Sequence, residues 1–76
     1  MKDFLIFIVK HLVDNPDEVE VNEIGGETTL VLELRVAKSD IGKVIGRRGQ
    51  NARSLRILLA GASKKLGKRV VLEILE

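Results

Sequence analysis

The sequence predicts a single α+β domain in which three helices cover one face of a three-stranded mixed sheet. Two stretches, residues 18–22 and 28–37, alternate apolar and polar side chains, as half-buried strands do. Residues 50–66 place apolar side chains at helical spacing. The segment before a third strand, residues 69–75, is long enough to return that strand parallel to its neighbour. We therefore expect the order helix, strand, strand, helix, helix, strand within one domain, residues 1–76.

The first predicted helix spans residues 2–13 and ends before the turn Asp14-Asn15-Pro16-Asp17. Asn15 is disfavoured in helical conformation because it precedes Pro16. The short apolar run is also compatible with a strand, but the following residues 10–13 favour a helix. A broad stripe at helical spacing marks the predicted core face: Phe4, Leu5, Ile8, Val9 and Leu12.

A hairpin turn at Gly25-Gly26-Glu27 joins the first two strands, which must then be antiparallel. The second strand has one apolar face, while Glu33 and Arg35 share its other face. The apolar face comprises Leu30, Leu32, Leu34 and Val36. The alternation predicts a sheet with one face buried under the helices and the other partly open to solvent.

The helices after the hairpin are separated by two glycines. Ser39 or Asp40 can cap a short helix that runs to about Val44, and Gly46 and Gly49 interrupt it. A long helix follows over Gln50–Leu66, and Gly67 is placed to terminate it before the last strand. Its predicted core face comprises Ala52, Leu55, Leu59, Ala62 and Leu66.

Charge is divided unevenly along the chain. Residues 1–37 contain three basic and eight acidic side chains, a net −5, whereas residues 38–76 contain ten basic and three acidic ones, a net +7. Such a division is typical of a protein that turns a basic face to a polyanion, although two solvated surfaces that attract each other would look the same.

Other features exclude several classes of protein. There is no cysteine and a single histidine, so we expect no disulfide, no metal site and no cofactor. The longest apolar run, Phe4–Val9, is too short for a membrane span or signal peptide, so we expect a cytoplasmic protein. An enzyme is not expected, because the chain has no Walker-type loop and its serines lack a plausible base.

The segment Gly46-Arg47-Arg48-Gly49 carries the main functional signal. Two glycines let the backbone turn tightly and approach a ligand, and the helix starting at Gln50 directs free N–H groups towards a phosphate. The two arginines add forked donors suited to phosphate oxygens. Alternatively, this is a plain helix–turn–helix connection with solvated arginines.

The predicted binding site comprises Ile41, Lys43, Ile45, Gly46, Arg47, Arg48, Gly49, Gln50, Asn51, Arg53 and Arg56. Ile41, Ile45 and Ala52 would form an apolar floor, although each could equally belong to the core.

The pattern Val44–Gly49, within this order of elements, resembles a prokaryotic (type II) KH domain over the whole chain. The segment Ile8–Val19 further resembles the start of the small bacterial single-KH proteins of the KhpA, or YlqC, family. The resemblance implies RNA binding, with the loop clamping the backbone of about four unpaired nucleotides. It also implies a post-transcriptional regulator or RNA chaperone that forms a homodimer or pairs with a second KH protein of the KhpB (Jag/EloR) type. Two departures are Ala52, where a larger aliphatic residue is common, and the lack of aromatic residues near the loop.

One face of the long helix fits the core poorly. Ile57 falls opposite the apolar stripe, and Gly61 beside it costs about 1 kcal/mol relative to alanine in mid-helix. A close helix–helix contact would explain both, so a dimer face is predicted at Ser54, Ile57, Leu58 and Gly61. A protein–protein adaptor that uses Ile57 and the open sheet, and a reader of duplex DNA, remain the alternative functions.

Overall fold

The computed structural model describes residues 1–76 and shows the predicted α+β order of elements, α-β-β-α-α-β. Short 3-10 turns occupy Pro16–Glu18, Lys38–Asp40 and Arg47–Gly49. The helices and strands are α1 (Lys2–Lys10), β1 (Glu20–Gly25), β2 (Thr29–Arg35), α2 (Ile41–Ile45), α3 (Gln50–Leu66) and β3 (Arg69–Ile74).

The sheet has β2 at its centre, paired antiparallel with β1 and parallel with β3. In the register, Leu32 lies opposite Glu23 on β1 and Leu72 on β3. The crossover through α2 and α3 returns the chain so that β2 and β3 end at the same edge of the sheet. The predicted fold class and the mixed sheet, expected from the hairpin turn and the long crossover, are thereby confirmed.

All three helices contribute to one hydrophobic core on the inner face of the sheet. Leu5 and Val9 of α1, Val44 of α2, and Leu55 and Leu59 of α3 are buried there. They pack against alternate strand residues and their neighbours in the chain, namely Val19, Val21, Leu30, Leu32, Leu34, Val36 and Leu72. Because strand side chains alternate between faces, this pattern leaves the second face of the sheet without a covering helix.

Several predicted boundaries differ from the structure. Helix α1 ends at Lys10 rather than at residue 13. Strand β1 starts at Glu20 rather than at residue 18, because Pro16–Glu18 form a 3-10 turn. Leu66 was predicted in the core but is 50% exposed, since it is the last helical residue before the left-handed turn at Gly67. Phe4, also predicted in the core, is 46% exposed.

None of the three helices combines the length and apolar character that crossing a bilayer requires. No group of three or more histidine, aspartate and glutamate side chains comes close enough together to hold a metal ion.

Candidate nucleic-acid interface

The loop between α2 and α3 has a backbone that only particular residues tolerate. Gly46 adopts φ 77° and ψ 173°, a region essentially restricted to glycine. Gly49 and Arg48 both lie in the left-handed region, with φ 73° and φ 56°. Arg48 is the one non-glycine residue of the chain with positive φ. Such local strain is typical of functional sites, where the surrounding structure holds a residue in an unfavourable conformation.

Besides the Gly46 N–H bond to the Gly42 carbonyl at 2.8 Å, which ends α2, three hydrogen bonds hold this loop in place. The Gly49 N–H donates to the Gly46 carbonyl at 3.1 Å, which closes the turn. The Asn51 Nδ2 donates to the Lys43 carbonyl at 2.8 Å and satisfies an otherwise free acceptor near the end of α2. The Arg53 guanidinium donates to the Arg48 carbonyl at 3.1 Å. Asn51 and Arg53, both predicted to contact a ligand, therefore also shape the loop.

Two adjoining clefts open on the loop. The first, about 460 Å³, is lined only by polar and charged residues: Arg47, Arg48, Gln50 and Arg53. The second, about 510 Å³, has an apolar floor and a largely basic rim: Ile45, Gly49, Ala52, Arg53, Arg56, Ile74 and Glu76. Because Arg53 lines both, the arrangement places a basic surface directly beside a groove with an apolar floor.

Seven of the eleven predicted site residues line the two clefts, whereas four do not. Gly46 forms the turn of the loop and Asn51 braces it, without lining either cleft. Ile41 is partly buried and packs against the core, and it lines neither cleft. Lys43 lies outside both clefts, and its ammonium pairs with the carboxylate of Asp14. The predicted dimer residues are all exposed, and Ile57 reaches 66% exposure.

Ile74 and Glu76 line the groove but were missed in the sequence. The order of elements could have indicated them: a strand parallel to β2 has its C-terminal end at the same end of the sheet as the C-terminal end of β2, where the chain continues into α2. The parallel crossover places the C-terminal end of β3, with Ile74 and Glu76, beside the loop.

Asp40 is the one buried polar side chain in the protein, at 1% exposure. It forms no cap bond to α2, so the predicted capping role is wrong. Its carboxylate instead accepts three hydrogen bonds from the connection between α1 and β1. Asp14 N donates at 3.2 Å, Asn15 N at 3.0 Å and Asn15 Nδ2 at 3.0 Å. A tertiary contact, rather than a local one, thus satisfies this residue.

These contacts predict a specific acid sensitivity. Burial raises the pKa of Asp40, but the hydrogen bonds from Asn15 and Asp14, together with nearby Lys43, outweigh it and hold the pKa below the ordinary value of 3.8. A carboxyl group whose pKa is lower in the folded than in the unfolded protein stabilises the fold at pH values above its unfolded-state pKa. This stabilisation is lost as the pH falls through its folded-state pKa. We expect Asp40→Asn to have a lower free energy of unfolding than wild type at neutral pH. Below about pH 4 this difference in unfolding free energy should become smaller. Urea unfolding of both proteins across this range measures the difference, and a gap independent of pH would contradict the assignment.

The fold and the loop together define a KH domain, in which a Gly-x-x-Gly loop joins two helices packed on a mixed three-stranded sheet. A family model described as "KhpA/KhpB, KH domain" matches residues 2–74. The chain belongs to this KhpA/KhpB family of KH domains.

Full-length relatives agree with this membership. A protein of Aquifex aeolicus is 55% identical over 76 residues, covering all of this chain and 96% of the relative. One of Borreliella burgdorferi is 54% identical over 74 residues, covering 97% and 90%, and one of Clostridium acetobutylicum is 51% identical over 75 residues, covering 99% and 100%. Each is named RNA-binding protein KhpA. These names describe binding proteins, and the expectation of a non-enzymatic protein is confirmed. No solved structure gave a significant match.

Proposed function

We propose that the protein binds single-stranded RNA by gripping its backbone with the Gly46-Arg47-Arg48-Gly49 loop. The observation that carries the proposal is the basic cleft of Arg47, Arg48, Gln50 and Arg53 beside an apolar-floored groove. The cleft lies at the N-terminus of the 17-residue helix α3, whose free N–H groups and dipole favour a phosphate. The names of the relatives support RNA as the polyanion.

Phosphates and bases would occupy different parts of the interface. Guanidinium groups in the first cleft suit phosphate oxygens, whereas Ile45, Ala52 and Ile74 in the second offer a surface for the faces of unpaired bases. Both aromatic residues of the chain, Phe4 and Phe7, lie on α1, outside both clefts. Base stacking on aromatic rings is absent here, so we expect modest affinity and low sequence specificity.

Binding to short oligonucleotides tests this function. With three or four phosphates neutralised on a single strand, the slope of log affinity against log salt should be about −2 to −3. Fluorescence anisotropy with an unstructured RNA should show this slope, and an RNA hairpin stem or a DNA duplex should compete weakly. Stronger competition by duplex DNA would support the major-groove reader instead, and the absence of nucleic-acid binding would support the adaptor.

Within this proposal, the protein acts in the cytoplasm as a post-transcriptional regulator or RNA chaperone together with a protein partner. The partner would be a second KH protein of the KhpB type, and the shared KhpA/KhpB family model supports that pairing. Such pairing places two loops on one particle and raises the affinity for RNA with two unpaired stretches.

Self-association through α3 is part of the same proposal. Ile57 and Leu58 are exposed. Leu58 and Gly61 border a largely apolar hollow of about 510 Å³, which is also lined by Met1, Phe4, Ala62 and Lys65. No atom outside the helix lies within 4 Å of a Cβ added at Gly61, so this part of α3 is open to a second helix. A two-fold contact there would cover the most exposed aliphatic side chain of the protein.

Ile57→Asp is expected to abolish the dimer without unfolding the domain. A two-fold interface repeats each substitution, and burying two unpaired carboxylates should raise the dissociation constant at least about 100-fold. Sedimentation equilibrium measures it, with circular dichroism as the check on folding. Ile24→Asp, at an exposed aliphatic position on β1, is the matched control and should leave association unchanged. An Ile57→Asp protein as dimeric as wild type would exclude this face.

The adaptor remains the second candidate function, favoured by the exposure of Phe7 and Ile57, at 64% and 66%. An adaptor would retain its protein partner after the loop arginines are reversed in charge. An RNA clamp would lose its ligand.

A further inference from the structure

We infer that Asp40 is a positioning residue for the RNA clamp: by fastening the α1–β1 connection to the start of α2, it fixes the direction in which α2 presents the loop. This inference rests on the proposed function of the Gly46–Gly49 loop. Asp40 itself lines neither cleft.

The shortness of α2 makes such a fastening necessary. The helix has five residues, and Val44 is its one fully buried side chain. A helix of this length has little stability of its own, so contacts at its two ends must set its direction. At the loop end, Asn51 bonds to the Lys43 carbonyl. At the other end, Asp40 directly precedes Ile41, the first helical residue, and bonds to Asp14 and Asn15.

A second link joins the same two segments. The ammonium of Lys43, on α2, pairs with the carboxylate of Asp14, in the same connection that Asp40 holds. Both links therefore connect Asp14-Asn15 to α2, across 25 to 29 residues of sequence. Pro16 follows directly and fixes its own φ, which limits the freedom of the connection. We call this set of contacts, Asp14, Asn15, Asp40 and Lys43, the α2 clasp.

The sign of the change in RNA affinity distinguishes a positioning role of Asp40 from an effect of its charge. Asp40 carries a negative charge close to a basic loop, so its removal alone would strengthen the attraction for a polyanion. The clasp predicts the opposite sign, because a carboxamide has one acceptor oxygen in place of two. With that oxygen on the two Asn15 donors, its NH₂ group faces the Asp14 N–H and one of the three hydrogen bonds is lost. Weaker RNA binding by a less negative protein would show that geometry, and not charge, is the role of Asp40.

The experiment compares Asp40→Asn with Asp17→Asn, an exposed acidic residue of the same connection with no side-chain hydrogen bond. We expect about a tenfold loss of RNA affinity for Asp40→Asn, because a binding site must be held to within about 0.5 Å. Its salt slope should equal that of wild type, since no phosphate contact is removed. Asp17→Asn should bind as wild type or slightly more tightly.

A readout without RNA keeps this inference separate from the proposed function. In ¹H–¹⁵N spectra, Asp40→Asn should shift and broaden the Gly46 and Gly49 amides while Leu32, in the central strand, stays unchanged. Unchanged glycine amides together with unchanged or tighter RNA binding would overturn the inference. If wild-type binding proves independent of Arg47 and Arg48, the proposed function fails, and the amide shifts still decide whether Asp40 positions the loop.

A milder variant keeps the test decisive if Asp40→Asn does not fold. Asn15→Ala removes one donor and leaves both backbone hydrogen bonds to Asp40 in place. We expect the same glycine amide shifts and a threefold to fivefold loss of affinity, smaller than that of Asp40→Asn because two of the three hydrogen bonds to Asp40 remain. An Asn15→Ala protein identical to wild type in both readouts would overturn the inference.

Discussion

Gly46→Ala is expected to destabilise the protein by about 3 kcal/mol and to abolish RNA binding, since the strained backbone alone costs about 1–3 kcal/mol before any clash. An added Cβ would lie 2.7 Å from Asn51 Cγ and 2.9 Å from both Cβ and the backbone N of the same residue. The backbone N cannot move without displacing the first turn of α3. Relief would break the Asn51 bond to the Lys43 carbonyl and separate the two helices that form the clamp. Chemical denaturation and RNA binding measure both effects.

Two other glycines provide matched controls. Gly42, inside α2, has ordinary helical φ and no atom within 4 Å of an added Cβ, so Gly42→Ala should be stabilising by about 0.5–1 kcal/mol. Gly49 has positive φ but open space around it, so Gly49→Ala should cost only the left-handed backbone strain of about 1–2 kcal/mol. Gly46→Ala with the stability and RNA affinity of wild type would contradict the proposed geometry of the loop.

Arg47→Asp/Arg48→Asp is expected to weaken binding of a short unstructured RNA by a factor of about 10² to 10⁴. Each lost hydrogen bond to a charged group costs about 1.5–3 kcal/mol, and two are removed. The salt slope should become shallower by about 1.4, because two fewer phosphates are neutralised. Stability should change little: both side chains are exposed, and aspartate tolerates the left-handed conformation of residue 48 better than most residues do.

The matched control for charge is Lys64→Asp/Lys65→Asp. It changes the net charge by the same amount at the opposite end of α3, where both lysines are exposed. Long-range repulsion of RNA should weaken binding in both variants, and the excess loss in the loop variant measures the direct contacts. Equal losses would mean that the loop contributes only net charge and that the RNA is held elsewhere.

Sequence patterns predicted the helices and strands that are determined by residues close to one another in the chain. Helix α3 begins at Gln50 and ends at Leu66 as predicted, because glycines in left-handed conformation flank both ends. The buried face of β2 follows directly from its alternation. Leu66 and Phe4 were misplaced because periodicity gives the direction of a side chain and not whether a neighbour covers it.

The clasp could not be predicted, because it depends on contacts between distant segments. Asp40 directly before a helix has the pattern of a cap, and only the folded chain shows that its carboxylate faces Asn15 instead. Lys43 next to the loop has the pattern of a phosphate ligand, yet its ammonium pairs with Asp14. For both residues a local interpretation was available, and a tertiary contact replaced it.

The acidic and basic halves of the sequence form different parts of the structure. The acidic half of the sequence forms α1, β1 and β2, whereas the loop and α3 belong to the basic half. In α3 itself no residue is acidic, and Arg53 and Arg56 line the groove beside the loop. A polyanion would therefore be attracted to the loop and repelled from the strands of the hairpin.

The most direct test is a ¹H–¹⁵N titration of the protein with an unstructured RNA of about four nucleotides, the length one such loop clamps. We predict that shifts concentrate on the amides of residues 45–56 and Ile74, with little change at Glu33 on the open face of the sheet or at Gly61 on α3. Shifts that concentrate on the open face or around Gly61, with the Gly46 and Gly49 amides unmoved, would contradict the assignment of this loop as the RNA clamp.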